Sequence, residues 1–266
     1  MVFYQYKVVI VKKYRGGRYM NLKNKTAVIT GSGRNIGRSI ALTLASMGAN
    51  VVVNSKENFE AANETADQIR KLGCKALVVM GDIGSESEVS RMVEDIRSNV
   101  DSVDIVINNG SLRRVQEFTT MTYDNWKEMI NTDLDSAFLM TQPFVEKMIE
   151  NKWGRVINLA GLNAIEGRSG WAHVSAAKMG LIGFTRSLSK ELVPHGITVN
   201  CVSPGMIDTS RDDQSSPRPD DRTRGIPAGR MGTVEEISSL CGWLCSEYSD
   251  YVSGQTFHVN GGEKNY

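Results

Sequence analysis

Seven short, continuous apolar runs alternate with longer amphipathic stretches along this chain of 266 residues. The runs are Ala27–Thr30, Val51–Val53, Ala76–Met80, Ile105–Asn108, Val156–Leu159, Thr198–Val202 and Thr256–Val259. Unbroken apolar runs indicate strands buried on both faces, as in a parallel sheet. The intervening stretches predict helices at Ile36–Met47, Asn58–Leu72, Glu86–Ser98, Tyr123–Asn151, Trp171–Leu192 and Val234–Ser246. The alternation therefore predicts one α/β domain, with a doubly wound parallel sheet of about seven strands and helices on both faces.

Composition argues against several classes of function. The net charge of +1 does not indicate a nucleic-acid partner or a membrane surface. No apolar run reaches the ~18–20 residues that a membrane span requires. The four cysteines, which show no metal-ligand spacing, are Cys74, Cys201, Cys241 and Cys245. They predict reduced thiols in a cytoplasmic protein without a metal site.

Residues 1–19 precede the first predicted strand and have a different character. Their apolar run, Val8–Val11, is followed at once by Lys12 and Lys13, which is the wrong order for a secretory signal. We expect an N-terminal extension that is disordered or not native, and a domain that spans residues 20–266. An added edge strand or a partner contact is the alternative.

A glycine-rich turn links the first predicted strand to the first predicted helix. Its sequence is Thr30-Gly31-Ser32-Gly33-Arg34-Asn35-Ile36-Gly37. Glycines let the backbone approach a pyrophosphate closely, and a helix N-terminus supplies N–H groups and a positive dipole end. The turn therefore predicts a dinucleotide site in a Rossmann fold.

Four further motifs follow the later strands in order. They are Asp82-Ile83, Asn108-Asn109-Gly110, Pro204-Gly205-Met206-Ile207-Asp208-Thr209 and Val259-Asn260-Gly261-Gly262. With the glycine turn, they make the chain from about Leu22 to Gly262 resemble the short-chain dehydrogenase/reductase family. Within that family the resemblance is to members that reduce 3-oxoacyl thioesters on acyl carrier protein.

The resemblance implies cofactor roles for matching positions. Thr30, Gly31, Ile36 and Gly37 would line the pyrophosphate, with Gly33, Arg34 and Asn35 completing the turn. The remaining positions would contact or support the adenine, the ribose and the nicotinamide: Asn54, Ser55, Lys56, Asp82, Ile83, Asn108, Gly110, Lys178, Pro204, Gly205, Ile207 and Thr209. Asn35 stands where the family has its middle glycine, and asparagine tolerates the left-handed backbone better than other side chains.

The end of the second strand bears on the choice of dinucleotide. An NAD-specific site usually has an acid there, which binds the ribose hydroxyls. This chain has Asn54-Ser55-Lys56 instead. Lys56 and Arg34 could meet a 2′-phosphate, and Arg34 stands where NADP-preferring relatives often carry arginine. We therefore favour NADP(H) over NAD(H); the alternative is that both cations are solvated surface charges.

The predicted reaction centre is incomplete. The resemblance implies a serine after the fifth strand, a Tyr-x-x-x-Lys motif on the next helix and an asparagine on the preceding helix. The tyrosine would transfer the proton, with its pKa lowered by the lysine. Here Lys178 and Asn131 are retained, but Gly161 and Val174 occupy the serine and tyrosine positions.

Other side chains could replace the missing groups. The candidates near the tyrosine position or in adjoining loops are His173, Ser175, Ser169, Glu166 and Tyr123. Arg113 and Arg114 could edge the pocket and bind an anion. Four arginines in the polar stretch Asp208–Arg224, at positions 211, 218, 222 and 224, would suit an anionic substrate such as an acyl thioester carrier. For each of these residues, a solvated or subunit-contact role is the alternative.

Three functional hypotheses remain open. The first is an NAD(P)(H)-dependent oxidoreductase that acts on a carbonyl or alcohol with a degenerate site and weak standard activity. The second is a catalytically inactive subunit that pairs with an active relative or acts as a cofactor-binding scaffold. The third is an elimination or isomerisation in the same pocket. The resemblance also implies a homodimer or homotetramer through the two long helices, Tyr123–Asn151 and Trp171–Leu192.

Overall fold

The computed structural model describes residues 20–209 and 225–265, and within them the seven predicted strands form one sheet. The strands are β1 Thr26–Ile29, β2 Asn50–Ser55, β3 Ala76–Met80, β4 Ile105–Asn108, β5 Gly154–Leu159, β6 Ile197–Pro204 and β7 Thr256–Val259. Their order is β3-β2-β1-β4-β5-β6-β7, and every neighbouring pair is parallel. The predicted fold is therefore confirmed. The order reverses beside β1, and this is where ligands bind in open parallel sheets.

Helices cover both faces of the sheet. They are α1 Asn35–Ser46, α2 Phe59–Lys71, α3 Glu86–Asn99, α4 Tyr123–Ile130, α5 Ser136–Glu150, α6 Asn163–Glu166, α7 Ala172–Leu192 and α8 Val234–Cys245. Alternate strand residues enter two separate cores: Ala27 and Ile29 pack with α1, α2 and α8, whereas Val28 packs with α3 and α5. Both faces of each central strand are buried, which explains why the apolar runs in the sequence are continuous.

The predicted helix Tyr123–Asn151 is wrong in one respect. A π-helical turn, Asn131–Asp135, separates α4 from α5. A π turn inserts one extra residue per turn and changes which side chains face inward, and such turns are frequent at functional sites. Asp133, within this turn, is only 1 % exposed.

Several sequence-based expectations fall on other parts of the chain. The extension 1–19 and Arg211, Arg218, Arg222 and Arg224 lie outside the described residues. None of the helices in the described ranges is long and apolar enough to cross a membrane. The four cysteines are free, and burial raises the pKa of Cys201 to about 11 and of Cys245 to about 12. These two thiols are therefore unreactive core groups.

Candidate functional site

The glycine turn after β1 packs so tightly that side chains are excluded at two positions. Gly31 has a left-handed backbone with φ +62°, and a Cβ there would lie 3.0 Å from Gly110 Cα. A Cβ at Gly37 would clash with the Gly31 carbonyl and lie 2.6 Å from Asn109 Nδ2. Asn35 is left-handed at φ 52°, as the sequence predicts for the residue in place of the family's glycine. The turn therefore keeps its shape despite that replacement.

Neighbouring side chains brace this turn. Asn54 Oδ1 accepts the Gly31 N–H at 3.1 Å. Thr30 Oγ1 accepts the N–H groups of Asn109 at 2.9 Å and Gly110 at 2.8 Å. Asn109 Nδ2 donates to the Thr30 carbonyl at 2.8 Å. The backbone that could cradle a pyrophosphate is thus fixed before any ligand arrives.

Asn54 differs from its expected role beside the ribose. Its side chain is 3 % exposed, and its amide donates to the carbonyls of Val79 and Gly81, each at 3.2 Å. Because the amide is committed inward, Asn54 supports the turn and is not available to a ribose. Ser55, at the end of β2, is partly buried.

Lys56 also has a partner that the sequence did not predict. Its Nζ lies 2.8 Å from Asp82 Oδ2, while Asp82 Oδ1 accepts the Gly84 N–H at 2.9 Å. Burial raises the pKa of Asp82, but the hydrogen bonds from Lys56 and Gly84 outweigh it, so the pKa lies below its usual value. Lys56 is exposed, and a 2′-phosphate would have to share it with Asp82.

The first turn of α1 carries no acidic residue, so its positive dipole end is not cancelled there. Arg34, the N-cap residue, has extended backbone and is exposed, and Gly33 before it is buried. Ile36 is partly buried within the first turn. This helix terminus and the glycine turn together offer an anion-binding surface.

The positions expected near the adenine and the nicotinamide lie at the ends of β3, β4 and β6. Ile83 is buried against Gly110, where an added Cβ would clash with Ile83 Cδ1. Asn108 Nδ2 donates to Asn158 Oδ1 at 2.8 Å and to Thr141 Oγ1 at 3.0 Å. Asn108 therefore joins β4 to β5 and α5 below the glycine turn.

After β6 the chain closes against the end of β7. Pro204 ends β6, and a Cβ at Gly205 would lie 2.7 Å from Asn260 Cβ. Ile207 forms an isolated parallel bridge with Gly232, and Thr209 is 7 % exposed. The family-predicted cofactor positions therefore gather along the carboxyl edge of the sheet.

At the reaction centre, Lys178 contacts a carboxylate rather than the predicted asparagine. Its Nζ donates to the Leu159 carbonyl at 3.0 Å and lies 3.3 Å from Asp133 Oδ2. Asn131 has other contacts: with its amide oriented to satisfy both atoms, it donates to Asp135 Oδ2 at 3.2 Å and to the Lys127 carbonyl at 3.1 Å. Asp133, two residues further on in the π turn, is the residue that contacts Lys178.

Asp133 organises the loop after β4 as well as Lys178. Its Oδ2 accepts the Ser111 hydroxyl at 2.7 Å, and its Oδ1 accepts the Leu112 N–H at 2.6 Å. The sequence analysis missed this residue, although a signal existed. Met129, Asp133 and Ala137 recur every four residues on the buried face, so a carboxylate stands in an apolar stripe.

The two positions that lack hydroxyls differ from each other. Val174 is 3 % exposed and packs in an apolar cluster with Met129, Trp171 and Leu112. A Cβ at Gly161 would meet no atom within 4 Å in the described chain. The tyrosine position is therefore filled by packing, whereas the serine position is open.

The candidate substitutes for the tyrosine differ in burial and in hydrogen bonding. Tyr123 is 74 % exposed, Ser169 is exposed, and Glu166 lies 2.6 Å from Lys264 Nζ in an ion pair. His173 is fully buried, and neither ring nitrogen has a hydrogen-bond partner within residues 20–209 and 225–265. Burial lowers its pKa, assisted by Arg114 and opposed by Asp133, so the ring favours the neutral form. The Ser175 hydroxyl is likewise buried without a partner there.

The two arginines after β4 have different surroundings. Arg114 Nη1 lies 2.7 Å from Glu128 Oε2 on α4. Arg113 is partly buried, and burial lowers the pKa of its guanidinium, although Asp133 opposes the shift. Over the described part of the chain, no group of three or more His, Cys, Asp or Glu side chains could hold a metal ion.

Comparison with known proteins identifies this architecture. A family model described as enoyl-(acyl carrier protein) reductase matches residues 31–264. The chain belongs to the short-chain dehydrogenase/reductase family. It is 38 % identical over 245 residues to a 3-oxoacyl-[acyl-carrier-protein] reductase of Aquifex aeolicus, covering 91 % of this chain and 98 % of the relative. The corresponding Escherichia coli reductase is 37 % identical over 247 residues, with the same coverage.

Solved structures of family members agree with the fold. A protein of Agrobacterium tumefaciens, provisionally assigned as a gluconate dehydrogenase, superposes with a TM-score of 0.86 at 29 % identity. That match covers 92 % of this chain and 97 % of the other. A provisionally assigned short-chain alcohol dehydrogenase of Sinorhizobium meliloti gives a TM-score of 0.85 at 28 % identity, covering 92 % and 98 %. The fold and the family are thus common to chains assigned different substrates.

Proposed function

We propose that this protein is an NADP(H)-binding oxidoreductase that acts slowly on a carbonyl or alcohol substrate. One observation carries the proposal: a preorganised dinucleotide turn stands beside a lysine whose two expected hydroxyl partners are Gly161 and Val174. The family resemblance supports the cofactor. The missing hydroxyls support weak activity, because no proton donor stands at the tyrosine position.

The residues of the carboxyl edge fit a nicotinamide dinucleotide. Thr30, Gly31 and Gly37 would hold the pyrophosphate turn, and the α1 N-terminus would face its charge. Asp82 and Ile83 would lie at the adenine, and Ile207 and Thr209 at the nicotinamide. The bound cofactor would supply or accept a hydride, while the chain positions the substrate and excludes water.

The preference for NADP(H) rests on charge at the end of β2. Residues 54–56 include no carboxylate for the ribose hydroxyls, and Lys56 and Arg34 supply cations. The ion pair with Asp82 does not remove this argument. Lys56 is exposed, and exposed pairs are typically worth only about 0–1 kcal/mol, so a phosphate can compete for the ammonium.

The rate factors that the two missing hydroxyls would supply support slow turnover. A positioned general acid is worth roughly 10²–10⁴ in rate. A donor to the reacting oxygen is worth about 10²–10³. Orientation of hydride donor and acceptor by the remaining pocket would still supply some rate. The relatives that reduce 3-oxoacyl groups on acyl carrier protein suggest a 3-oxoacyl thioester as the first substrate to examine.

An inactive subunit is the second candidate, and the Lys178 contacts favour it. The ammonium is held by Asp133 and the Leu159 carbonyl, and Val174 closes the tyrosine position with apolar packing. Exposed apolar side chains on the two long helical regions, Phe138 at 54 % and Met179 at 42 %, suit a helix-mediated dimer or tetramer. The partner would be a second copy or an active relative, in the cytoplasm.

Cofactor titration and a rate assay test the proposal together. Calorimetry should give tighter binding of NADPH than of NADH. Reduction of ketones and 3-oxoacyl thioesters should then fall well below the ~1–10³ per second of ordinary enzymes. Absence of binding of either cofactor contradicts the dinucleotide site. Ordinary turnover would mean that another residue performs the tyrosine's task, and His173→Ala would be the first variant to examine.

A further inference from the structure

Among the described residues, the Arg113 side chain near the predicted reaction centre has no directly bonded counterion. The described residues 20–209 and 225–265 provide no hydrogen-bond or ion-pair partner for the Arg113 guanidinium, although the side chain is partly buried. The adjoining arginine, Arg114, is paired with Glu128. The two consecutive arginines therefore differ in whether a carboxylate of the chain is paired with them. A paired arginine stabilises the fold, whereas an unpaired one is available to bind an anion.

The nearby carboxylate of Asp133 contacts Lys178 and makes no direct contact with Arg113. Asp133 lies within electrostatic reach of Arg113, but its oxygens already accept from Ser111 and Leu112 and face Lys178. Asp133 and Lys178 neutralise each other. The positive charge of Arg113 is therefore not neutralised by Asp133. Burying a charge without a partner lowers the stability of the folded state.

The position of Arg113 places this charge beside the predicted reaction centre. The residue follows Leu112, which packs on Val174, Met129 and Trp171 in the apolar cluster at the tyrosine position. The loop that carries both residues is tied to Lys178 through Asp133. An anion bound at Arg113 would therefore lie close to the reacting group of a substrate.

We infer that Arg113 binds a carboxylate of the substrate, so the substrate class is oxo acids or hydroxy acids rather than neutral ketones. A guanidinium pairs with a carboxylate through two parallel N–H···O bonds. One uncompensated positive charge matches a monoanion better than a phosphate dianion, and the apolar cluster beside it suits the carbon chain of such an acid. This inference names the substrate class of the proposed oxidoreductase, and the reaction of that substrate rests on the proposed function. Binding of the carboxylate at Arg113 does not depend on it.

The test compares a keto acid with its ester. The protein is saturated with NADP⁺, which cannot reduce the ligand, and is titrated by calorimetry with 4-oxopentanoate and with methyl 4-oxopentanoate. Charge-assisted hydrogen bonds predict binding of the acid that is roughly tenfold tighter or more. Equal affinities, tighter binding of the ester, or no binding of either compound overturns the inference without any variant. Stronger binding of inorganic phosphate than of the acid also overturns it.

Matched variants locate the effect. Arg113→Gln should reduce the preference to within about twofold, whereas Arg114→Gln should keep it, since Arg114 is already paired. Loss of the preference in Arg114→Gln with retention in Arg113→Gln contradicts the assignment. Titration of NADPH and of the acid and ester into cofactor-free samples of the same proteins separates the two proposals. Loss of cofactor binding with acid preference intact refutes the proposed function alone, and cofactor binding without acid preference refutes this inference alone.

Discussion

Charged groups at the amino edge of the sheet are held by partners within the chain, whereas several polar groups at the carboxyl edge are not. At the amino edge, Asp104 accepts the Thr26 N–H at 2.9 Å and the Lys25 ammonium at 3.1 Å. Arg155, 1 % exposed, donates to the Gly154 carbonyl at 2.8 Å and pairs with Asp250.

An aromatic ring completes the amino-edge cluster. The Trp153 ring centre lies 4.1 Å from Lys25 Nζ and 4.4 Å from Arg155 Cζ, within the range of cation–π attraction. At the carboxyl edge, by contrast, both His173 nitrogens and the Ser175 hydroxyl are buried with no hydrogen-bond partner within the described residues. The partly buried Arg113 guanidinium has no partner among those residues either. Unpaired buried groups cost stability and are frequent at ligand sites. Arg155 Nε, at the amino edge, also lacks a partner within the described residues, but the rest of that guanidinium is paired.

The two edges should therefore respond differently to substitution. Changes at the amino edge should lower the free energy of unfolding and leave cofactor affinity intact. Changes at the carboxyl edge should alter ligand binding and have small effects on stability. Three variants test this division.

The largest effect is expected from Asp250→Ala. It leaves the buried Arg155 guanidinium without its counterion, and breaking a buried pair typically costs 3–5 kcal/mol. We expect a loss of about 3 kcal/mol in the free energy of unfolding, because the Asp250 side chain is 63 % exposed and water can replace part of the interaction. Urea denaturation measures this loss.

Glu247→Ala, at an exposed acid three residues earlier, is the control and should change the free energy of unfolding little. A loss below about 1 kcal/mol would show that the pair is a surface contact.

The next effect is expected from Gly37→Ala. The new methyl group would clash with the Gly31 carbonyl and approach Asn109 Nδ2, so the phosphate-binding turn must shift. A shifted turn loses backbone hydrogen bonds to the pyrophosphate, and a loss of about 3 kcal/mol in binding free energy corresponds to roughly 100-fold weaker binding of NADPH.

Gly183→Ala on α7, where a Cβ meets no described atom within 4 Å, is the matched control. It should leave NADPH affinity unchanged and raise stability slightly, since alanine favours helices over glycine. Retained NADPH affinity in a folded Gly37→Ala protein would place the cofactor elsewhere.

The smallest effect is expected from Arg113→Gln on stability. Removing a desolvated charge without a counterion should raise the free energy of unfolding or change it by less than about 0.5 kcal/mol. Thermal and urea unfolding of the variant measure the change. A loss of more than about 2 kcal/mol would mean that Arg113 is a structural cation like Arg155.

Periodicity and motif spacing predicted the sheet, the glycine turn and the left-handed Asn35, because each depends on local sequence. The π turn was not predicted, because the residues 131–135 that form it look like an ordinary part of a continuous helix in the sequence. Asp133, which contacts Lys178, lies within this turn. The Asn54 side chain points inward, and Lys56 pairs with Asp82. Both features depend on contacts between separate strands, which local sequence patterns do not predict.

The paired variant Val174→Tyr with Gly161→Ser tests most directly whether this is a dehydrogenase pocket that lacks two hydroxyls. Lys178 lies one helical turn after position 174, so a phenol there would lie near the ammonium. The serine position is open, but Val174 packs on Leu112 and Met129, so folding must be checked by thermal melting. In a folded variant that binds NADPH, we predict reduction of 4-oxopentanoate or of a 3-oxoacyl thioester at least about ten times faster than in the parent. No gain in that folded, cofactor-bound variant would contradict the account and favour the inactive subunit.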